Sequence, residues 1–141
     1  MADEADSPRV VLRDGSVATI RPTGPDDRDA IRAMFHDLSP ASRYRRFFSV
    51  GEPPDAVLDR FCDSANPARS FTLGAHRQVE GNTHVIAIGS YFAIGPHIAE
   101  VAFAVDDRFH GKGLGTTLLE RLAHVAVANV MGCVRECQKF C

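Results

Sequence analysis

One segment limits the possible folds of this chain more than any other: residues 99–126, AEVAFAVDDRFHGKGLGTTLLERLAHVA. It begins with an apolar run, broken by Glu100 alone, in which large and small side chains alternate as they do along a strand. Its last part repeats apolar residues at helical spacing from residue 114 to about residue 129. Between the two lie three glycines at alternate positions, Gly111, Gly113 and Gly115. The segment therefore predicts a strand, a glycine-rich loop and an amphipathic helix in direct succession.

The rest of the chain adds short strands and a block of helices. Residues 10–22 contain two strand-like runs around Asp14-Gly15, which is a good hairpin turn. Helices are predicted from about Thr23, from Ser39-Pro40 and over residues 54–61, and two further strands at residues 69–78 and 85–94. Because the helices do not alternate with the strands, we expect an α+β domain with a mainly antiparallel sheet flanked by helices.

Length and charge restrict the domain organisation and the partners. A chain of 141 residues fits one domain, which we place at residues 9–131, after a disordered leader at 1–8 and before an atypical cysteine-rich tail at 132–141. The acidic leader has no apolar core and does not predict a signal peptide. The net charge of −2 provides no electrostatic case for nucleic acid or a membrane surface as partner. The four cysteines do not form a secreted disulfide framework, so we expect a cytoplasmic protein.

The three glycines before a helix suggest an anion site. Glycine lets the backbone approach a ligand closely, and the free N–H groups at a helix N-terminus bind phosphate. The spacing of "GKGLGT" does not fit a P-loop, and the dinucleotide fingerprint would need a third glycine where Thr116 stands. A flexible connection without ligand is the other interpretation that the glycines alone allow.

The wider spacing resembles a known signature. Residues 108–113, RFHGKG, fit R/Q-x-x-G-x-G/A after a strand and before a helix, as in the GNAT superfamily of acyl-CoA-dependent N-acyltransferases. The segments LRDGSVATIRP, LSPASRYRRFF and AEVAFAV are similar to the bacterial protein lysine acetyltransferases of that superfamily. The resemblance covers residues 10–130.

The resemblance implies acetyl-CoA as co-substrate and an amine, in particular a protein lysine, as acceptor. Backbone N–H groups of residues 111–116 would bind the pyrophosphate, with Arg108 and Lys112 adding positive charge unless they are simply solvated. A bulged strand over residues 103–105 would pair with the pantetheine arm and polarise the thioester carbonyl. The implied cofactor-binding residues are Phe103, Ala104, Val105, Arg108, Gly111, Lys112, Gly113, Leu114, Gly115 and Thr116. No metal is implied.

Glu100 is the candidate general base. It shares a strand face with Ala102 and Ala104, whose small side chains leave space for a substrate. Apolar surroundings would raise the pKa of the carboxyl group, and a lysine amine must lose a proton before it attacks a thioester. The matching glutamate of the similar lysine acetyltransferases has this role. The alternative is a structural ion pair with Arg69 or Arg77.

Two other patterns are weaker. In SRYRRFF, residues 42–48, the aromatic residues are expected in the core of a helix and the arginines outside, either as solvated charges or as contacts to an acidic acceptor. Single-stranded nucleic acid is the less favoured interpretation of the same residues. Cys133, Cys137 and Cys141 are spaced by four and do not match a zinc site, so free thiols are expected.

The C-terminal region departs from the family. A complete domain of this kind continues after the 114–129 helix with a fifth strand, another helix and closing strands. We therefore expect a truncated domain that lacks its C-terminal strands and last helix, although residues 133–141 could make a short strand. No general acid can be assigned, and an exposed sheet edge would favour a homodimer. The alternatives to a protein lysine acetyltransferase are a small-molecule amine acetyltransferase and a non-catalytic acyl-CoA-binding remnant.

Overall fold

A computed structural model describes residues 8–37, 55–63, 65–130 and 133–136, with the backbone alone for residues 130 and 133–136. Several expectations lie outside the described residues: those on the leader at 1–7, on the helix after Ser39-Pro40 with the SRYRRFF segment, and on Cys137 and Cys141.

Within these ranges the sheet has six strands, in the order in which they occur along the chain. The first five pair antiparallel, and the sixth lies parallel to the fifth. The strands are β1 (Arg9–Val11), β2 (Val17–Pro22), β3 (Ser70–Val79), β4 (Asn82–Gly95), β5 (Ile98–Val105) and β6 (Cys133–Glu136). The mainly antiparallel α+β architecture is confirmed, including the hairpin around Asp14-Gly15.

Among the described residues, three helices flank the sheet, namely α1 (Arg28–Asp37), α2 (Asp55–Phe61) and α3 (Leu114–Val130). A 3₁₀ turn at Pro25–Asp27 precedes α1, and the backbone N–H of Gly24 donates to the Asp27 carboxylate at 2.8 Å. Thr23 does not cap this helix, because its hydroxyl donates to the backbone carbonyl of Phe61 instead. No helix in the described ranges is both long and apolar enough to cross a bilayer.

The face of the sheet toward α3 is apolar. Val101, Phe103 and Val105 of β5 belong to one core cluster with Leu118 and Leu122 of α3, as the alternation along β5 predicts. Gly89 of β4 allows this close packing, since a Cβ atom there would lie 2.8 Å from Leu122 Cδ1 and 2.9 Å from Phe103 Cε1. The helix that follows the glycine loop is thereby held directly against β4 and β5.

The opposite face, toward α1 and α2, contains buried polar groups. Asp27 accepts two hydrogen bonds from the Arg21 guanidinium at 3.0 and 2.8 Å, and its Oδ1 lies 3.3 Å from His76 Nε2. Burial raises the pKa of Asp27, but hydrogen bonds from Arg21 and Gly24 outweigh it, and the net pKa is lowered. Burial and the nearby Arg21 lower the pKa of His76. This network joins the start of α1 to β2 and β3.

The cysteine-rich segment adds the last described strand to the sheet. Cys133–Glu136 forms β6, paired with β5 from Ile98↔Cys133 to Val101↔Glu136. The short strand expected after α3 is therefore confirmed for these four residues, which lie parallel to β5.

Candidate functional site

The glycine loop joins β5 to α3. Gly111 and Gly113 have φ angles of +74° and +85°, a region that residues with a Cβ atom rarely occupy. The N–H of Thr117 donates to the carbonyl of Gly113 at 3.2 Å, which is the first helical hydrogen bond of α3. The N–H groups of residues 114–116 therefore precede the helical ladder and remain available for an anion. The positive φ angles, next to backbone N–H groups that are available to a ligand, explain why glycine occurs at these two positions.

A cavity of about 290 Å³ opens against this loop. Its described lining is Arg13, Val105, Phe109, His110, Gly111, Gly113, Leu114, Gly115 and Thr116. The predicted residues Val105, Gly111 and 113–116 are thus brought together. Three lining residues, Arg13, Phe109 and His110, were not predicted from the sequence.

Arg13 reaches the loop from the β1–β2 turn. Its side chain donates to the carbonyl of Gly111 at 3.4 Å, and its backbone N–H donates to the carbonyl of Lys112 at the same distance. His110 Nε2 lies 2.9 Å from the carbonyl of Val105, which ties the loop to the end of β5. A fixed positive charge and an imidazole ring therefore border the cavity. The position of His110 within RFHGKG could have indicated its place in the site, whereas no sequence pattern indicated that of Arg13.

Arg108 and Lys112 line a different cavity, of about 500 Å³, and both are engaged by carboxylates. Arg108 donates from Nε and Nη2 to Asp106 at 3.0 and 2.8 Å, and Lys112 Nζ lies 3.1 Å from Asp14. Burial raises the pKa of Asp106, but the hydrogen bonds from Arg108 outweigh it and lower that pKa overall. Hydrogen bonds from Ser16, followed by the one from Lys112, lower the pKa of Asp14. The charge that these two cations would bring to a pyrophosphate is thus partly neutralised.

The C-terminal half of β5 has an outer backbone edge. β6 pairs with β5 only over residues 98–101, so in the described chain the rest of β5 has β4 as its single strand neighbour. The N–H of Asp106 donates to Ile86 of β4, and alternation therefore directs the backbone groups of Phe103 and Val105 away from β4. The bulge expected at residues 103–105 is absent from the pairing with β4, which shifts register between Ala93 and Gly95 instead.

Glu100 lies near the other end of β5. It is paired in register with Phe92 of β4 and is exposed, so the burial expected for it is not found. Glu100 is exposed because it lies near the beginning of β5, beside the turn that joins β4 to β5. No ion pair joins it to Arg69 or Arg77 in the described chain, and Arg77 stacks over the Phe109 ring at 5.4 Å instead.

A cavity of about 350 Å³ adjoins Glu100. Its described lining is Val57, Arg60, Phe61, Phe92, Ala93, Ile94 and Glu100. The Arg60 guanidinium lies 4.4 Å from the centroid of the Phe92 ring. This cavity combines an acceptor for a proton, a cation and apolar walls, which suits a substrate with an amine on an aliphatic chain. No group of three or more metal-ligating side chains occurs among the residues that the structure describes.

Comparisons with known proteins identify relatives of this domain. A model of the acetyltransferase (GNAT) family matches residues 31–139. The solved GNAT domain of S. lividans PAT superposes with a TM-score of 0.77 at 30% identity, over 92% of this chain and 76% of that one. An acetyltransferase of Pseudomonas aeruginosa is 31% identical over 121 residues, and the acetyltransferase Pat of Mycolicibacterium smegmatis is 31% identical over 130 residues.

The two curated relatives are longer than the matched region. The alignments take in 84% and 89% of this chain, but 64% of the Pseudomonas protein and 37% of the mycobacterial one. The similarity therefore concerns the domain described above and extends over its loop, its sheet and its flanking helices.

Proposed function

The chain belongs to the acetyltransferase (GNAT) family, and from this premise we propose that it transfers an acetyl group from acetyl-CoA to a protein lysine side chain, with Glu100 as general base. The observation that carries the proposal is the arrangement along β5. A glycine-lined anion cavity lies beyond one end of this strand, and a cavity with a carboxylate lies at the other.

The cofactor half of the site is the glycine loop with the outer edge of β5. The N–H groups of residues 114–116 and the side chain of Arg13 would hold the pyrophosphate. The outward N–H groups of Phe103 and Val105 would pair with the pantetheine arm and polarise the thioester carbonyl. A rise of about 3.3 Å per residue separates the Cα atoms of Glu100 and Val105 by about 17 Å, so an extended arm running along β5 would bring its end toward Glu100.

The acceptor half supplies the proton acceptor. A lysine amine has an ordinary pKa of about 10.4 and is protonated at neutral pH. Glu100, directly or through a water molecule, would take one proton as the nitrogen attacks the thioester carbon. The C–N bond forms, the C–S bond breaks, and the sulfur leaves as coenzyme A thiolate. The exposed position of Glu100 lets an amine reach it from solution.

Two observations favour a protein acceptor. Glu100, Arg60 and Ile94, which line the cavity, are exposed, so a side chain of a folded partner or a peptide can enter it. The Mycolicibacterium smegmatis relative has the name acetyltransferase Pat, and the sequence resembles bacterial protein lysine acetyltransferases. The cytoplasmic location and the homodimer expected from the sequence stay predictions.

Calorimetry with coenzyme A tests the cofactor half. We expect the folded 141-residue chain, checked by circular dichroism, to bind coenzyme A saturably at micromolar concentration. Gly111→Asp and Gly113→Asp should abolish binding, because the new carboxylate would fill the space that the anion needs and would repel its negative charge. Binding by these two variants at wild-type affinity would contradict the assigned cofactor site.

Turnover of Glu100→Gln tests the acceptor half. We expect kcat to fall by about 100- to 10,000-fold, the usual contribution of a positioned general base, while affinity for acetyl-CoA is retained. Wild-type kcat in this variant would exclude Glu100 as the base. Transfer to polyamines or amino acids without transfer to proteins would indicate a small-molecule acetyltransferase, and coenzyme A binding without any transfer would indicate a non-catalytic module.

A further inference from the structure

Arg60 differs from the other arginines on its face of the sheet. Arg21 is paired with Asp27, Arg28 with Asp55 and Asp59, and Arg32 with Asp29 and Asp55. Arg60 is exposed, and its guanidinium contacts the Phe92 ring. Among the described residues, no carboxylate lies within ion-pair distance of this guanidinium. A guanidinium held over an aromatic face keeps its hydrogen-bonding fork available for a planar anion.

Arg60 and Glu100 line the same cavity without pairing with each other. Phe92 lies between them, since its ring is under Arg60 and its position on β4 is in register with Glu100 on β5. Residues directly opposite in a sheet have Cβ atoms about 5 Å apart, so the Phe92 side chain lies beside that of Glu100 and beneath the Arg60 guanidinium. The cavity therefore presents a cation and a carboxylate together with apolar side chains.

We propose, on the basis of the function proposed above, that Arg60 is a specificity-determining residue that binds a carboxylate on the acceptor close to the lysine that is acetylated. The amine of the lysine lies at Glu100, and its aliphatic stem packs on Phe92 and Ile94. In an extended peptide, side chains two positions apart lie on the same side at about 7 Å, so a lysine and an acidic residue at this separation can enter the one cavity that Glu100 and Arg60 both line. The preferred acceptor is thus a lysine peptide with Asp or Glu two positions from the lysine.

Paired peptides test this specificity. Two lysine peptides that differ only by Glu or Gln two residues from the lysine are compared by kcat/KM with saturating acetyl-CoA. We expect wild type to favour the Glu peptide about tenfold, mostly through KM, because a charge-assisted bidentate contact is lost in the Gln peptide. In Arg60→Gln the two peptides should become equal, and Arg60→Lys should retain part of the preference.

Arg32→Gln is the matched control. Arg32 is another arginine of the same helical layer, but it is engaged with Asp29 and Asp55 and does not line the cavity. The tenfold preference should persist in this variant. A preference lost equally in Arg32→Gln and Arg60→Gln would overturn the proposal, since general surface charge would then explain it.

If Arg60 acted only by influencing the general base Glu100, a different result would be expected. In that case Arg60→Gln would change kcat and its pH profile equally for both peptides, and the ratio of their kcat/KM values would stay at the wild-type value. That outcome would overturn the assignment of Arg60 to the acceptor carboxylate.

Binding measurements separate this inference from the proposed function. Calorimetric titration of the same two peptides into the coenzyme A complex requires no turnover. Tighter binding of the Glu peptide that depends on Arg60, together with no acetyl transfer, would support the specificity and contradict the catalytic function. Transfer to both peptides without discrimination would support the function and overturn the specificity, and neither binding nor transfer would overturn both.

Discussion

The two ends of β5 build two different kinds of site. At the C-terminal end, the groups available for a ligand belong largely to the backbone: the N–H groups of residues 114–116 and the outer edge of residues 103–105. At the N-terminal end they are side chains, those of Glu100, Arg60 and Phe92. The site at the C-terminal end of β5 thus depends on backbone conformation, and the site at its N-terminal end depends on the identity of the side chains.

The difference indicates how each half can change. A backbone site accepts many side chains but needs glycine wherever φ is positive, as at Gly111 and Gly113. A site formed by side chains keeps its position as long as its strand stays folded, but a single substitution changes what the site binds. We therefore infer that the cofactor half tolerates little change in conformation, whereas the acceptor half sets specificity.

The largest effect that separates the two halves is expected from Phe109→Ala. Phe109 is 8% exposed and anchors the glycine loop in the core cluster shared with α3. Its removal should lower the free energy of unfolding by about 3 kcal/mol and weaken coenzyme A binding, because the loop loses its apolar anchor. Urea unfolding and calorimetry measure both quantities. Phe92→Ala, at the acceptor half, should leave the affinity for coenzyme A unchanged, and equal losses in the two variants would refute the division.

A smaller effect is expected from Gly113→Ala. At a φ of +85° an alanine costs about 1–2 kcal/mol, while the new Cβ meets nothing closer than Arg13 Nε at 3.5 Å. Stability in urea should fall by that amount, through backbone strain rather than crowding. Gly115→Ala is the matched control, since Gly115 lies inside α3, has no positive φ, and has no atom within 4 Å of the point that a Cβ would occupy. Alanine there should not lower stability, and a loss as large as that of Gly113→Ala would disprove the strain argument.

The smallest effect concerns the buried network of Asp27, Arg21 and His76, which lies outside both halves of the site. The pKa of His76 is lowered from its ordinary 6.5 by burial and by Arg21, so the unfolded chain takes up a proton that the folded chain resists. Stability is then complete above about pH 6.5 and decreases as the pH falls below it. The lowered pKa of Asp27 adds a loss of the same sign below its ordinary 3.8. Urea unfolding at pH 7.0 and 5.5 should show a decrease that is reduced in His76→Gln, and an identical decrease in both proteins would count against this origin.

Most of the fold near the site was predictable from local pattern. The alternation in AEVAFAV identified β5 and its apolar face, the helical spacing after residue 114 identified α3, and the glycines marked the loop between them. Gly111 and residues 113–116 do line one cavity, whereas Arg108 and Lys112 line a second and Glu100 a third. The exposure of Glu100 was not predictable, because alternation assigns a residue to a face but not to the covered or the open part of that face.

The sequence by itself determined the elements along β5, the loop and α3, because helical and strand periodicity and the need for glycine are properties of short stretches of chain. The tertiary structure alone decided which cations border the two cavities. Arg13 reaches Gly111 across 98 positions of sequence, and Arg108 and Lys112 turn to Asp106 and Asp14 instead. Ion pairs and cavities depend on which strands and turns lie side by side, and that order is set by packing of the whole sheet.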